Sequence, residues 1–370
     1  MKDYLTVIGA GLAGSEAAWQ AAERGVKVVL YEMRPVTRTP VHKTENCAEL
    51  VCSNSLGNNL PHSAPFILKE ELRHFKSIVI ASGDNNSVPA GSALAVDRDL
   101  FSKEITEKLS SHPNITFKRE EVKEIPQEGP VIIATGPLTS PHLSEQISKL
   151  VGQEYLYFYD ALSPIVNADS IDYDKAFFAS RYDKGDADYL NCPMSEAQYY
   201  EFVRELKASE KVPFATFEKA VYFEGCMPIE VLAERGDRTL AFGPLKPVGL
   251  TNPKTGKIAH AVVQLRRENK ESSAFNLVGF QTKLTYPEQK RIFSMIPGLE
   301  NAEFFRFGAI HRNTYINSPG VISNTLQSNK NPLLFFAGQI TGVEGYSESA
   351  AMGLVAGINS SRAFKNKKPI

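Results

Sequence analysis

The sequence predicts an α/β protein in which a Rossmann-like domain, built on a parallel sheet, carries a smaller inserted α+β domain. Three observations predict this fold. An N-terminal strand and helix are joined by a glycine-rich turn. Two later apolar runs end in small residues and glycine, as strands covered on both faces of a parallel sheet do. The middle of the chain instead mixes short β-like runs and helices with frequent proline and glycine turns.

The N-terminal unit has the order strand, glycine-rich turn, helix and second strand. Residues 4–8 form an apolar run, residues 12–24 an alanine-rich helix, and residues 26–31 a second apolar run that Glu32 follows. Such a unit holds the pyrophosphate of a dinucleotide at the N-terminus of its helix. Glu32 is placed to accept hydrogen bonds from the adenosine ribose, which favours a ribose without a 2′-phosphate.

Each glycine of the turn has a mechanical reason. Gly9 permits the tight turn, Gly11 lets the backbone approach the phosphates, and Gly14 lets the helix pack close to the strand. We therefore expect one continuous cofactor-binding segment followed by an acid. Its residues are Gly9, Ala10, Gly11, Leu12, Ala13, Gly14 and Glu32.

Two later strand ends narrow the dinucleotide to FAD. The apolar run that starts at Val131 stops at Thr135 and Gly136, and the run that starts at Leu333 stops at Gly338 and Gln339. A small-residue helix over about 348–362 follows. This order of three elements is that of FAD-binding flavoproteins, in which the last strand and helix approach the flavin. The sequence therefore predicts FAD, with Gly136, Gly338 and Gln339 in its site.

The middle segment predicts a separate inserted domain. We assign residues 1–164 and 298–370 to a discontinuous FAD-binding domain and residues 165–297 to the inserted domain. Within the insertion we expect short strands and two helices. The predicted strands are 222–223, 261–264 and 276–280, and the predicted helices are 195–208 and 286–296.

Composition limits the function classes. The chain has 370 residues, 42% of them hydrophobic and 22% charged, with a formal net charge of −1. That balance carries no global signature of a nucleic-acid binder, although a local basic patch can still hold phosphates. No signal peptide and no apolar run of about 18–20 residues is present. We therefore expect a cytoplasmic protein without a membrane span.

Four cysteines are present, and none forms a CxxC pair. Their spacing does not match that of zinc ligands, so we expect reduced thiols and no metal site. They are Cys47, Cys52, Cys192 and Cys226.

A series of motifs along the whole chain closely resembles the folate- and FAD-dependent tRNA (uracil-54-C5) methyltransferase family. The set includes Glu-Gly-Cys-Met-Pro at 224–228, which the wobble-uridine-modifying cousins on the same flavin scaffold lack. The motifs lie at residues 7–35, 48–55, 88–91, 95–98, 134–139, 182–185, 191–194, 223–230, 242–250, 311–315 and 336–339.

The resemblance implies a function. Members form 5-methyluridine in the T loop of tRNA, with methylenetetrahydrofolate as carbon donor, NAD(P)H as reductant and the flavin as carrier of the methylene group. Typical members continue for several helical turns beyond the position of Ile370, and short relatives act on 23S ribosomal RNA. We therefore expect RNA and folate as partners and tRNA as the main target, with 23S rRNA as an alternative. A flavin-dependent oxidoreductase without methyl transfer, and a non-catalytic flavin-bearing RNA-binding protein, are further alternatives.

Two cysteines are candidates for catalysis. Uracil C5 becomes nucleophilic when a thiolate adds to C6, so a covalent cysteine is expected. Cys226, in the Glu-Gly-Cys-Met-Pro turn, is the candidate nucleophile, and a buried, chemically passive thiol is the alternative. Cys52 is a candidate general base or second thiol, or an incidental loop thiol. Cys47 and Cys192 are expected to be passive.

The remaining candidates surround the flavin and folate. His311 and Tyr346 are candidates to stack on the flat pterin ring of folate, with a core or loop role as the alternative for His311. The motif at 33–35 places Arg34 beside the cofactor. Asp97 either lines the flavin site or caps the helix that follows it.

Overall fold

The computed structural model describes residues 3–152, 156–181, 186–213, 221–222 and 224–370. The motif at 182–185 and the residue Phe223 lie outside the described residues. The helices are α1 (Leu12–Glu23), α2 (Ala64–His74), α3 (Ile78–Asn85), α4 (Arg98–Ser111), α5 (Pro141–Val151), α6 (Glu196–Ala208), α7 (Ile229–Glu234), α8 (Thr239–Phe242), α9 (Tyr286–Phe293) and α10 (Tyr346–Phe364).

The strands alternate with these helices in the first part of the chain and dominate the middle. They are β1 (Leu5–Ile8), β2 (Val28–Glu32), β3 (Ser55–Asn58), β4 (Ser87–Val88), β5 (Ala93–Val96), β6 (Ile115–Arg119), β7 (Val131–Ile133), β8 (Leu156–Ala161), β9 (Ile165–Asn167), β10 (Phe177–Ala179), β11 (Tyr189–Met194), β12 (Ala261–Arg267), β13 (Ala274–Leu277), β14 (Phe304–Arg306), β15 (Ile310–Tyr315) and β16 (Leu334–Phe336).

A five-stranded parallel sheet with the order β16-β7-β1-β2-β6 forms the first layer. The strands β1 and β7 are fully buried, because α1 and α10 cover one face of the sheet and α5 contributes to the apolar cluster on the other. This is why their sequences are continuously apolar and do not alternate. The sheet confirms the predicted α/β fold, and its strand ends fall within two residues of the predicted positions.

The backbones of helices α1 and α10 are in direct contact at two glycines of α10. A Cβ added at Gly353 would collide with the carbonyl oxygen of Ala13, and one added at Gly357 would come within 2.6 Å of the Ala17 oxygen. The two helices therefore need glycine on α10 and alanine on α1 at these positions.

A six-stranded sheet with the order β10-β11-β12-β13-β9-β14 forms the second layer, and every pairing in it is antiparallel. Helices α6, α7 and α9 bury apolar side chains against it. The strand expected at 276–280 is wrong in its bounds: β13 ends at Leu277, because Gly279 turns the chain with a φ of +77°. The domain boundaries at 164/165 and 297/298 stay a prediction.

Two smaller sheets complete the described fold. The order β3-β5-β4 forms one, and β8 pairs antiparallel with β15 to form the other. The β8–β15 ladder sets Asp160 directly opposite His311. It thereby brings two segments about 150 residues apart in sequence to one place. Among the described residues, no helix combines the length and apolar character that crossing a bilayer requires.

We expect Gly353→Ala to destabilise the protein. In open space the change would raise the free energy of unfolding by roughly 1 kcal/mol through helix propensity. Against Ala13 the added methyl overpacks the α1–α10 contact, so we expect a net loss within the roughly 1–3 kcal/mol typical of overpacked cores. Denaturant unfolding would measure it. Ala351→Gly, on a half-buried face of the same helix, is the control for propensity alone. An unchanged or raised stability of Gly353→Ala would contradict the packing argument.

Candidate active site

A cavity of about 440 Å³ opens at the carboxyl ends of β1, β2, β7 and β16. In open α/β sheets this edge is where ligands bind. The β8–β15 ladder and the first turn of α10 contribute the opposite wall. The volume is within the range of small-molecule sites, roughly 300–1,000 Å³. The site is thus formed jointly by the parallel sheet and the smaller ladder.

The glycine turn forms one wall of the cavity. Gly9 has a φ of +96°, and a Cβ there would lie 2.7 Å from the Ala134 oxygen. Gly11 lines the cavity, and among the described residues no atom lies within 4 Å of a Cβ added there and no side chain caps the N-terminus of α1. The backbone N–H groups of that first turn therefore face open space, as a diphosphate requires.

Glu32 fixes the turn as well as lining the cavity. Its Oε2 accepts the Ala10 N–H at 3.0 Å, and its Oε1 accepts the Arg34 Nε–H at 2.9 Å. Burial alone would raise the pKa of Glu32, but its hydrogen bonds and the charge of Arg34 outweigh burial and hold the pKa below the ordinary value. The carboxylate is therefore ionised, and it ties the turn to the following loop.

Arg34 organises that loop. Its guanidinium also pairs with Glu49 at 3.0 Å and donates to the carbonyl oxygens of Thr44 and Asn46. Only 4% of the Arg34 residue is exposed. Arg34 lines the cavity, but its guanidinium is largely engaged by the protein itself. The motif at 33–35 did not indicate that Arg34 holds the loop through hydrogen bonds and ion pairs.

Most of the expected site residues line this one cavity. Ala10 and Gly14 lie just behind its wall, where Ala10 binds Glu32 and Gly14 packs against Gly9. The expected residues on the wall are Gly9, Gly11, Leu12, Ala13, Glu32, Arg34, Cys52, Gly136, Cys226, His311, Gly338, Gln339 and Tyr346.

Asp97 does not line the cavity. Its carboxylate caps α4, accepting the N–H groups of Asp99 at 3.1 Å and Leu100 at 3.0 Å, and it accepts the Lys270 N–H as well. Of the two roles weighed for Asp97, the structure shows the helix cap. The cap joins α4 to the loop after β12, so its work is structural.

Cys52 and Cys226 meet beside Asp160. The two sulfur atoms and a carboxylate oxygen of Asp160 all lie within 4.8 Å of one another. A hydrogen bond with Cys52, burial and the negative charge of Asp160 raise the pKa of the Cys226 thiol well above its ordinary value. Cys226 is thus held as a thiol in the structure without substrate, and a nucleophilic role requires a partner that takes its proton.

The backbone of Cys52 is anchored on both sides. Its N–H donates to the Tyr346 hydroxyl at 2.9 Å, and its carbonyl oxygen accepts from Arg98 at 3.1 Å and from Arg306 at 3.2 Å. The Cys52 thiol lies 3.9 Å from the carbonyl oxygen of Ala161. Three distant elements therefore fix the position of this loop cysteine.

The sequence reading missed Asp160 and Asn313. Asp160 Oδ1, His311 Nδ1 and both amide atoms of Asn313 are buried without a hydrogen-bond partner among the described residues. All three side chains line the cavity. Buried polar atoms without partners are costly, so their presence here points to a polar ligand. The signal in the sequence was a lone acid, Asp160, closing the aromatic run 157–159.

Burial perturbs the acids and the histidine of this wall. It raises the pKa of Asp160, although the charge of His311 opposes the shift, and it lowers the pKa of His311. Burial and the charge of Asp160 raise the pKa of Glu344 to about 7. Burial also raises the pKa of Tyr346. The shifts of Asp160 and Glu344 bring their proton exchange closer to neutral pH, as in many catalytic sites, whereas the shifts of His311 and Tyr346 keep those two side chains uncharged.

Comparison with known proteins identifies a matching family and a matching fold. A family model described as "Glucose inhibited division protein A" matches residues 4–368. A solved structure of Aquifex aeolicus GidA superposes with a TM-score of 0.74, covering 99% of this chain and 64% of that chain. Its sequence is 19% identical, so this likeness shows the fold alone.

Two relatives of known sequence are much closer. Both are named "Methylenetetrahydrofolate--tRNA-(uracil-5-)-methyltransferase TrmFO". The protein of Heliobacterium modesticaldum is 60% identical over 366 residues, which are 99% of this chain and 83% of that protein. The protein of Enterococcus faecalis is 60% identical over 370 residues, which are 100% of this chain and 85% of that protein.

The four cysteines should differ in reactivity. Burial raises the pKa of Cys47 to about 11 and that of Cys192 to about 12, and both residues are fully buried. Cys52 and Cys226 are only half-buried and line the cavity. Because the reagent can reach only the half-buried pair, iodoacetamide at pH 8 should modify only Cys52 and Cys226 in the folded protein, Cys226 slowly because its raised pKa leaves little thiolate, and all four cysteines after denaturation. Peptide mass spectrometry measures this, and modified Cys192 in folded protein would contradict it.

Proposed function

We infer that this chain, which belongs to the "Glucose inhibited division protein A" family and within it to the members named methylenetetrahydrofolate–tRNA-(uracil-5-)-methyltransferase TrmFO, methylates C5 of a uridine in tRNA. Methylenetetrahydrofolate supplies the carbon, FAD is the bound cofactor and NAD(P)H is the reductant. The observation that carries the inference is the pair Cys52 and Cys226 on the wall of the cavity that the glycine turn borders.

The oxidoreductase alternative is not favoured. Flavin enzymes that only move electrons also have the glycine turn, and some of them use two adjacent thiols as a redox pair, so these two features do not separate the two classes. This chain has both, but its relatives at 60% identity carry the methyltransferase name. The non-catalytic alternative is equally disfavoured, because the thiols and the turn are both intact.

The residues on the cavity wall fit FAD. The uncapped N-terminus of α1 suits the diphosphate, and Glu32 stands at the end of β2, where the ribose hydroxyls of a dinucleotide lie. Gly338 has a φ of +78° and lies against Ala13, so the chain after β16 passes close to α1. Gly136, on the same cavity, has open space beside it, since no atom among the described residues lies within 4 Å of a Cβ added there. When bound, the flavin supplies the ring nitrogen that carries the methylene group and the electrons that reduce it.

Cys226 is assigned the covalent role. Addition of its sulfur to uracil C6 makes C5 nucleophilic enough to accept the one-carbon unit. The turn 224–226 and the start of α7 place this thiol at the cavity wall. Cys52, held within 4.8 Å, is assigned to removal of the C5 proton, which restores the aromatic uracil ring once carbon has been transferred.

His311 and Tyr346 are assigned to folate. Both lie on the cavity wall, and their rings offer flat surfaces to the pterin. The Nδ1 of His311 has no hydrogen-bond partner among the described residues, so it is available to a polar edge of that ring. Tyr346 has a second task, because its hydroxyl accepts the Cys52 N–H.

Cys226→Ala should abolish methylation and leave the flavin bound. The parent protein, incubated with NADPH, methylenetetrahydrofolate labelled in its transferable carbon and unmethylated tRNA, should place label in 5-methyluridine, and Cys226→Ala should place none. The flavin spectrum should persist, because the FAD wall is formed by other residues. Cys192→Ala, which removes a fully buried thiol outside the cavity, is the matched control and should stay active.

The same assay with 23S rRNA tests the RNA target. We expect label in tRNA and none in rRNA. Label in rRNA alone would move the substrate assignment, label in neither RNA would refute methyl transfer, and protein without extractable flavin would refute the FAD assignment.

His311→Ala should raise the KM for methylenetetrahydrofolate more than it lowers kcat. The change removes a ring that we assign to binding the pterin, and stacking of flat rings contributes roughly 0.5–1.5 kcal/mol. A rise of about 2–10-fold is therefore expected, measured by initial rates at saturating tRNA. His260→Ala, at a histidine outside the cavity wall, is the control. An unchanged KM for folate in His311→Ala would contradict the assignment.

A further inference from the structure

We propose that Asp160 is the proton acceptor that converts the Cys226 thiol into the attacking thiolate. The proposal rests on the function inferred above, in which the sulfur of Cys226 adds to uracil C6. It assigns a role to a residue on β8, outside the sequence motifs that pointed to that function. A thiol that attacks as a thiolate must lose its proton, and general bases do this within hydrogen-bond reach.

Geometry supports the assignment. The Asp160 carboxylate lies beside the Cys226 sulfur on the cavity wall, and 8% of Asp160 is exposed. The Asp160 carboxylate forms hydrogen bonds with the Cys226 thiol and the Ala161 N–H, while its Oδ1 has no partner among the described residues and so keeps an acceptor position. A purely structural buried aspartate would be expected to fill its acceptor positions with protein donors.

The backbone holds Asp160 rigidly. It is the fifth residue of β8, and it pairs across the ladder with His311, whose Nε2 lies 3.9 Å from Oδ2. Because the alternation of a strand fixes which face a side chain occupies, Asp160 and His311 share the cavity face. The acceptor is therefore placed before substrate arrives, which is the condition for efficient proton transfer.

The neighbouring charges favour proton acceptance. The titratable groups that face Asp160 are Cys52 and Cys226 at the thiol pair, His311 on β15, Glu344 before α10 and Tyr346 on α10. Burial raises the pKa of Asp160, which strengthens it as a base compared with an ordinary carboxylate. The charge of Asp160 in turn raises the pKa of Cys226, so the two groups compete for one proton.

The proton transfer to Asp160 and the addition of sulfur to C6 balance without any redox partner. The Sγ–H bond of Cys226 breaks, and its proton moves to a carboxylate oxygen of Asp160. The sulfur forms a bond to uracil C6, while the C5=C6 electron pair moves into the enolate. After carbon transfer, the C5 proton passes to the thiolate form of Cys52, and electrons that originate in NAD(P)H reduce the transferred unit to methyl. The C6–S bond then breaks, the C5=C6 bond reforms, and the Cys226 thiolate takes the proton back from Asp160.

Other groups are less suited to take this proton. Cys52 is already assigned to the later removal of the C5 proton, and burial lowers the pKa of His311, which disfavours its protonated form. Glu344 holds its own proton up to about pH 7. Asp160 is thus an acid of the cavity wall with a carboxylate oxygen within 4.8 Å of both the Cys52 and the Cys226 sulfur atoms.

Asp160→Asn separates this role from a structural one. Removal of the negative charge should ease ionisation of Cys226, so iodoacetamide should alkylate Cys226 at pH 7 roughly tenfold faster, one pKa unit being a factor of ten in thiolate. Formation of 5-methyluridine should instead fall by on the order of 10²-fold, because the proton has no acceptor. Loss of packing alone would not raise the alkylation rate of Cys226 while lowering the rate of 5-methyluridine formation. Peptide mass spectrometry follows Cys226 apart from Cys52.

Two variants complete the design. Glu16→Gln neutralises a fully buried acid outside the cavity, whose pKa burial raises to about 7, and it should change neither rate. Asp160→Glu keeps a carboxylate and should retain more methylation activity and slower alkylation than Asp160→Asn. The proposal is overturned if Asp160→Asn methylates within threefold of the parent, or if its Cys226 alkylation is unchanged or slower. A parent protein that forms no 5-methyluridine would contradict the proposed function, while the alkylation comparison would still test Asp160.

Discussion

The close approach of three backbone segments around Ala13 is the constraint on which the site depends. Gly14 packs on Gly9, Gly353 packs on the Ala13 carbonyl, and Gly338 packs on the Ala13 methyl. A side chain at any of these glycines would separate α1 from the turn, from α10 or from the end of β16. Because all three elements border the cavity, the packing of the α1 N-terminus sets the shape of the cofactor wall as well as the stability of the layer.

The opposite wall depends on electrostatics more than on packing. It places two thiols, two acids and a histidine in a buried space, where each additional negative charge raises the cost of the next. The structure meets this cost by keeping protons on Cys226 and, up to about pH 7, on Glu344. Arg98 and Arg306 donate hydrogen bonds to the Cys52 carbonyl oxygen, so two cationic side chains hold the loop that carries Cys52. The site is thus poised to exchange protons between its own groups.

The sequence predicted what local chemistry determines. The glycine turn, Glu32 and the strand ends at Gly136 and Gly338 follow from short-range rules, and the structure brings them to one cavity. Asp160 escaped prediction because its importance comes from pairing with a strand 150 residues away, which no local pattern reports. Asp97 was ambiguous for the opposite reason, since a helix cap and a site acid look alike in sequence.

The β8–β15 register carries the strongest functional constraint on the second wall. Asp160, His311 and Asn313 share one face because the side chains of a ladder alternate, and a slip of one residue would send one strand's polar groups to the other face. Buried polar atoms without partners would then be lost from the cavity and placed in an apolar layer, at a cost of roughly 1–3 kcal/mol each. The polar groups that a substrate would bind therefore also disfavour a change in the register of the β8–β15 ladder, which forms part of the wall beside the two thiols.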